Sequence, residues 1–332
     1  MTKTPPRIDW QSHIERAAET ARPKLGKGKV ADYIPALAEA DPNAFAMAMI
    51  TVNGNTAEVG AADTPFSIQS LSKVFTLVQA LGMEGDAIWD RVGREPSGSP
   101  FNSVVQLEHE QGVPRNPFIN AGAMIVTDAI VSHCGTEPAY ERILKMLQEA
   151  ADSDQVRIDG RVADSERKWG DRNRSLAYFM SSCGNLKNSP SAVLDAYFHQ
   201  CAIEMTVTEL ARAGLFLANG GTDPITGQEF ARPARADRIN AMMMTCGHYD
   251  MSGDFAFRVG LPGKSGVGGG ILAIAPGVGS IAVWSPALNK SGNSLAGTVA
   301  LEAFAAETGL NVFSNKRPIR VAGERGGPTI ER

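Results

Sequence analysis

The sequence predicts an α/β (α+β) protein: an antiparallel sheet drawn from both ends of the chain, flanked by helices, with a helical subdomain inserted between its two halves. Three observations carry this prediction. Extended, apolar segments with turn punctuation fall near 44–60 and return at 255–284. Helical spacing with several independent end signals fills the stretch between them. The 332 residues, 43% hydrophobic and 20% charged, are enough to bury one large core. We expect a single domain over 1–332, with 1–75 plus 225–313 forming the sheet part, 76–224 the helical part and 314–332 a flexible tail.

The elements follow in chain order. From Ile8 to Leu37 the apolar spacing is helical, broken by the Gly/Lys patch Lys24–Lys29. Ala44–Val52 and Thr56–Gly60 flank Asn53-Gly54-Asn55, and an Asn-Gly pair tolerates the positive φ of a tight hairpin. Val74, Leu77, Val78 and Leu81 share one face of a helix beginning soon after Pro65 and ending near Gly82. Ser189 before Pro190 reads as an N-cap with a first-turn proline, and Val193, Leu194, Tyr197 and Cys201 then share a face. Thr206 with Glu209 forms a capping box for a helix stopped by Gly220-Gly221. Phe255–Leu261, Val267–Ala275 and Ser280–Trp284 read as extended, and a final helix spans about Leu295–Glu307.

Composition excludes several classes of function. Lys and Arg number 32 against 36 Asp and Glu, so no net field gathers nucleic acid or an anionic membrane. A small, roughly neutral partner fits better. Cys134, Cys183, Cys201 and Cys246 lack metal-finger or paired spacing, so they read as reduced, packed thiols, and neither a metal nor a cofactor is expected. The start of the chain has no apolar leader segment, and Ile271–Trp284 is interrupted by Pro276, Gly277 and Gly279. A cytoplasmic location is the expectation.

Five dispersed histidines and the absence of a Gly-x-Ser-x-Gly elbow give no local support to a Ser-His-Asp hydrolase. A serine can instead be activated by a neutral lysine three residues on, which lies on the same helix face. That pattern occurs twice, at Ser70–Lys73 and at Ser165–Lys168. The first opens an apolar-faced helix, where burial and the helix terminus disfavour a charged lysine; the second lies in a run of charges. Lys-Ser-Gly, the strand motif of penicillin-recognising Ser-Lys hydrolases, also occurs twice. Lys264-Ser265-Gly266 runs into an apolar strand pattern, whereas Lys290-Ser291-Gly292 reads as a turn. Ser-Asp-Asn, the third element of that set, is absent, which counts against a β-lactamase or transpeptidase. Two phosphate motifs fail: Arg258 stands where a P-loop needs glycine, and Ile271 where a dinucleotide loop does. The glycines from Gly268 to Gly270 fit a backbone brought close to the nucleophile, supplying an oxyanion amide.

Six blocks now identify a family resemblance. Phe66–Lys73, Gly93-Arg94-Glu95-Pro96-Ser97-Gly98, Asn116–Ala123, Gly170-Asp171-Arg172-Asn173, Tyr249-Asp250-Met251-Ser252-Gly253 and Lys264-Ser265-Gly266-Val267 resemble, in order, those of the serine-dependent glutaminases. The resemblance extends from about Tyr33 to Asn293. It implies a β-lactamase-like (penicillin-binding-like) fold and hydrolysis of L-glutamine to L-glutamate and ammonia. It further implies Ser70 as nucleophile, Lys73 as its base and Tyr249 as the phenol relaying a proton to the leaving ammonia. The amides of Ser70 and Val267 would form the oxyanion hole, beside the strand motif Lys264, Ser265 and Gly266. Glu166 would face the substrate's α-ammonium, and Tyr33, Gln69, Asn120, Asn173 and Tyr197 would line the rest of the pocket. A homo-oligomer, dimer or tetramer, is plausible for this fold. The alternative is a Ser-Lys acyl hydrolase acting on β-lactams or esters with the same Ser70 and Lys73.

Overall fold

The structure, a computed structural model, describes residues 8–98, 100 and 102–314. The expected tail therefore lies outside the described residues from 315 onward. The chain runs α1 (Trp10–Ala21), β1 (Ala46–Thr51), β2 (Thr56–Gly60), β3 (Phe66–Ser67), α2 (Ser72–Glu84), α3 (Val104–His109), α4 (Asn120–His133), α5 (Ala139–Ala151), β4 (Arg157–Ile158), α6 (Gly160–Trp169) and α7 (Asp171–Ser182). It continues through α8 (Pro190–Cys201), β5 (Ile203–Met205), α9 (Val207–Ala218), α10 (Pro233–Cys246), α11 (Ser252–Arg258), β6 (Gly263–Ser265), β7 (Gly270–Ala275), β8 (Gly279–Trp284) and α12 (Leu295–Thr308).

Five strands form one antiparallel sheet in the order β2-β1-β8-β7-β6, so the N-terminal hairpin pairs with the C-terminal meander. β1, β7 and β8 are buried along their whole length because both of their faces are covered, whereas the edge strand β2 is exposed on one side. In β1, Ala46, Ala48 and Ile50 point to the core shared with α2, α4 and α9, while Met47 and Met49 point to the core under α1 and α12. β8 repeats the alternation, with Ala282 and Trp284 on the first side and Ile281 and Val283 on the other. That period of two is what a sheet sandwiched between helical layers requires. Asn53-Gly54 makes the β1–β2 turn with Gly54 at φ +78°, and the Thr206–Glu209 capping box and the Ser189 cap are both formed. A small sheet, β3-β5-β4, ties the segment before α2 to the helical layer.

Four expectations are corrected. The 255–261 segment, whose Phe255, Phe257, Val259 and Leu261 alternate as in a strand, is largely helical: Phe255 and Val259, four apart, are buried, while Phe257 is 88% exposed. Stacking of Phe255 on His248, centroids 3.6 Å apart, holds the helical register. The 267–275 run is not one strand, because Gly266–Gly269 forms the turn between β6 and β7, which pair antiparallel. Helical structure begins at Trp10 rather than Ile8 and, after the expected break from Lys24, returns only as one short turn at Pro35–Leu37. α2 ends at Glu84, near Gly82 as expected, where Gly85, at φ +63°, supplies the terminating conformation. Of the four free cysteines, Cys183 at the end of α7 is exposed rather than packed. No helix among the described residues is long and apolar enough to cross a membrane.

Candidate active site

Ser70 lies in a single 3-10 turn, Gln69–Leu71, that leads directly into α2. The turn is unusual at its first residue: Gln69 has φ +48°, a left-handed conformation that a side chain with a Cβ rarely adopts. Neighbouring backbone enforces it. The β6–β7 turn lies hard against 67–70, so that a Cβ on Gly268 would sit 2.2 Å from the Ser67 carbonyl and one on Gly266 2.8 Å from the Ile68 carbonyl and 3.4 Å from the Ser70 nitrogen. Glycine is required at both places for the approach itself. The closest approach to Ser70 is thus made at Gly266, just before Val267, rather than within Gly268–Gly270 as the sequence suggested.

Lys73 is fully buried in the first turn of α2. Its Nζ donates to Asn120 Oδ1 at 2.7 Å and to the Phe118 carbonyl at 3.2 Å, and lies 5.8 Å from the Tyr197 ring centroid. Burial lowers its pKa to about 8, against a small opposing pull from Cys201 and Glu166. Asn120 opens α4, and its position is prepared by Asn116, whose Oδ1 accepts from the amides of Phe118 and Ile119. Its own Nδ2 donates to Asn173 Oδ1 at 3.0 Å, so one amide joins the lysine to the pocket wall.

Tyr249 reaches Ser70 from 179 positions away, by subtraction of the two residue numbers. It too has a left-handed backbone, at φ +58°. Ser252 holds that turn: its hydroxyl accepts from the His248 amide at 3.0 Å and donates to the Tyr249 carbonyl at 3.2 Å. The phenol is hydrogen-bonded to Ser70 and donates to the Ser265 carbonyl at 3.4 Å. Burial raises its pKa well above that of a free phenol, against the opposing effect of the Ser70 bond, so it stays protonated. Lys264, fully buried on β6, donates to the Ser265 carbonyl and sits 4.7 Å from the Tyr249 ring centroid. Burial, then the nearby Lys73, lowers its pKa well below the usual value, favouring the neutral amine.

A cavity of about 100 Å³ opens on Ser70, lined among others by Gln69, Asn120, Glu166, Asn173, Tyr197, Val267 and Tyr33. Every residue expected to contact substrate is therefore at one place, although Tyr33 is half exposed and Asn173 only partly buried. Glu166 supplies the acidic side chain among the residues that line the cavity. It is 4% exposed, and burial raises its pKa to about 7, while a Gln69 hydrogen bond and the Lys73 charge pull it down. The second Ser-x-x-Lys is elsewhere in character, with Lys168 exposed beside the Trp169 ring.

Some lining residues have no role in the sequence reading. Cys201 also faces the cavity, one helical turn after Tyr197 on α8, and burial raises its thiol pKa to about 12. Their shared face was visible in the sequence, but not what it looked onto. Trp169 and Arg172 border the cavity too, Arg172 next to Asn173 in the same block.

Fold and site together define an amidohydrolase of the β-lactamase-like class. Comparison with known proteins sharpens this. The glutaminase family model matches residues 28–313, most of the chain, and the chain belongs to that family. It is 58% identical over 307 residues, 92% of this chain and 99% of the other, to a glutaminase of Rhizobium rhizogenes. Among solved structures, the probable glutaminase ybaS superposes with a TM-score of 0.85 at 39% identity, covering 92% of this chain and 99% of that one. A probable glutaminase from Bacillus subtilis complexed with 6-diazo-5-oxo-L-norleucine gives a TM-score of 0.83 at 31% identity, covering 94% and 100%. The reaction is hydrolysis of the glutamine side-chain amide.

Proposed function

We propose that this glutaminase works through Ser70 as nucleophile, with Lys73 as its base and Tyr249 as proton carrier. The observation that carries the reading is a buried phenol, hydrogen-bonded to Ser70 and kept protonated, together with a buried lysine of lowered pKa three residues after Ser70. Neutral Lys73 takes the Ser70 proton as Oγ attacks the side-chain carbonyl of L-glutamine. The amides of Ser70 and Val267 receive the developing oxyanion. The C–N bond breaks as the amine acquires a proton through Tyr249, giving ammonia and a glutamyl ester on Ser70. Water then attacks that ester by the same groups, releasing L-glutamate. Glu166 faces the α-ammonium, while Asn120, Asn173, Tyr197, Gln69 and Tyr33 hold the remaining polar groups.

The sheet part, 1–75 with 225–313, supplies Ser70 and Tyr249 in this reading, and the helical part supplies Glu166 and Asn173. The scattered, unpaired cysteines fit a cytoplasmic enzyme, and light scattering would test the dimer or tetramer expected for it.

The electrophile 6-diazo-5-oxo-L-norleucine tests the nucleophile. One equivalent should attach to the peptide carrying Ser70, and Ser70→Ala should remain unlabelled, stay folded and lose several orders of magnitude in turnover. Labelling at another residue, or a tenth of wild-type turnover in Ser70→Ala, would overturn the assignment.

A further inference from the structure

Besides the small cavity, the active site adjoins a much larger opening. An open groove of about 790 Å³ runs outward from it, and Tyr33 and Val267 line both spaces. Their other walls differ in a way that matters for chemistry. Ser70 and Glu166 line the small cavity, whereas Tyr249 lines the groove. The groove wall nearest Tyr249 is the second Lys-Ser-Gly, Lys290-Ser291-Gly292, for which the glutaminase reaction has no use. A Cβ on Gly292 would lie 3.8 Å from both the Tyr249 ring and the Val267 side chain. Ser291 pins this loop by donating to Asp250 at 3.5 Å.

If Tyr249 hands a proton to the departing nitrogen, that nitrogen stands on the Tyr249 side of the scissile bond, which is the groove side. Ammonia, about the size of a water at roughly 30 Å³, needs almost none of that space. A groove of this volume instead matches the range of sites that hold molecules of many atoms. Its lining charges are three lysines, Lys27, Lys29 and Lys290, against two aspartates, Asp32 and Asp250. Lys29 is paired with Asp32 at 2.7 Å, while Lys27 and Lys290 are exposed at the groove.

We propose that this groove receives the amine half of the amide, and that the enzyme also hydrolyses secondary γ-glutamyl amides whose nitrogen carries an anionic, amino-acid-sized substituent. The inference rests on the reading of Ser70 and Tyr249 given above. Ser70 Oγ forms the same glutamyl ester, the C–N bond to the substituted nitrogen breaks, and that nitrogen gains its proton through Tyr249. A free amino acid then leaves along the groove with its carboxylate passing Lys290 and Lys27, and water completes hydrolysis to L-glutamate.

The test measures L-glutamate release by the purified full chain from L-glutamine, γ-L-glutamylglycine and γ-L-glutamylethylamide. All three should be turned over, with the glycine compound favoured over the neutral ethylamide. Lys27→Gln/Lys290→Gln should cut kcat/KM for γ-L-glutamylglycine by about threefold, the scale of exposed charge pairs, and leave both other substrates within about 1.5-fold. Turnover of L-glutamine with no release from either secondary amide would overturn the groove assignment. Release from both amides, with the double variant changing neither, would overturn the preference for an anionic substituent. No turnover of L-glutamine itself would instead count against the catalytic reading.

Discussion

In the proposed mechanism two buried groups must each lose a proton before the site can work, so kcat/KM for L-glutamine should rise with pH in two regimes. Lys73, at about 8, acts as a base only when neutral. Glu166, at about 7, attracts an α-ammonium only when ionised. Because kcat/KM reports the ionisations of the free enzyme, log kcat/KM should climb with a slope of about 2 below pH 7, about 1 between pH 7 and 8, and level off above. From pH 6 to pH 9 the productive fraction grows roughly a thousandfold, the product of about 90-fold for the lysine and about tenfold for the carboxylate. Glu166→Gln keeps the shape but removes one ionisation, so its profile should have slope 1 throughout the acid limb. The Glu166 charge raises the Lys73 pKa, so its removal should also shift the remaining break below pH 8. At pH 8 the variant should lose about two orders of magnitude, roughly 3 kcal/mol. Steady-state ammonia release in constant-ionic-strength buffers measures all of this. A plateau already reached near pH 5 would refute the neutral-lysine base. A Glu166→Gln break that stayed in place or moved upward would refute the coupling.

Other perturbations separate site from scaffold. Ser252→Ala strips the left-handed Tyr249 turn of its hydroxyl bridge, so kcat should fall about tenfold with KM within twofold; equal losses in both would make Ser252 a merely structural residue. Gly268→Ala would force a Cβ against the Ser67 carbonyl and should lower both Tm and kcat, whereas full activity would show that the turn can retreat without cost. Asp223→Ala leaves Arg212 buried without its 2.6 Å partner and should cost about 3 kcal/mol in chemical denaturation with kcat unchanged.

Local chemistry made much of this protein readable. Asn53-Gly54 specified the hairpin, and Thr206 with Glu209 specified a helix start, because turns and caps are settled by side chains a few residues apart. The apolar runs of β1, β7 and β8 announced buried strands, and the order of six motif blocks announced the family. The alternation from Phe255 to Leu261 misled because a short apolar pattern fits a strand or a helix face equally well. The His248 ring and the β6 backbone against Phe255 decided between them. Nor could the sequence show that Asn120 bridges Lys73 to Asn173, or that Ser252 braces Tyr249. Between the paired candidates, Ser70–Lys73 and Ser165–Lys168, the residue types are the same, and the difference in their flanking residues becomes a difference in burial, with Lys73 enclosed and Lys168 exposed. Burial is the largest cause of the lowered Lys73 pKa, and it comes with Phe118 and Asn120 at the start of α4 and Tyr197 of α8, residues distant in sequence that meet Lys73 only when the chain is folded.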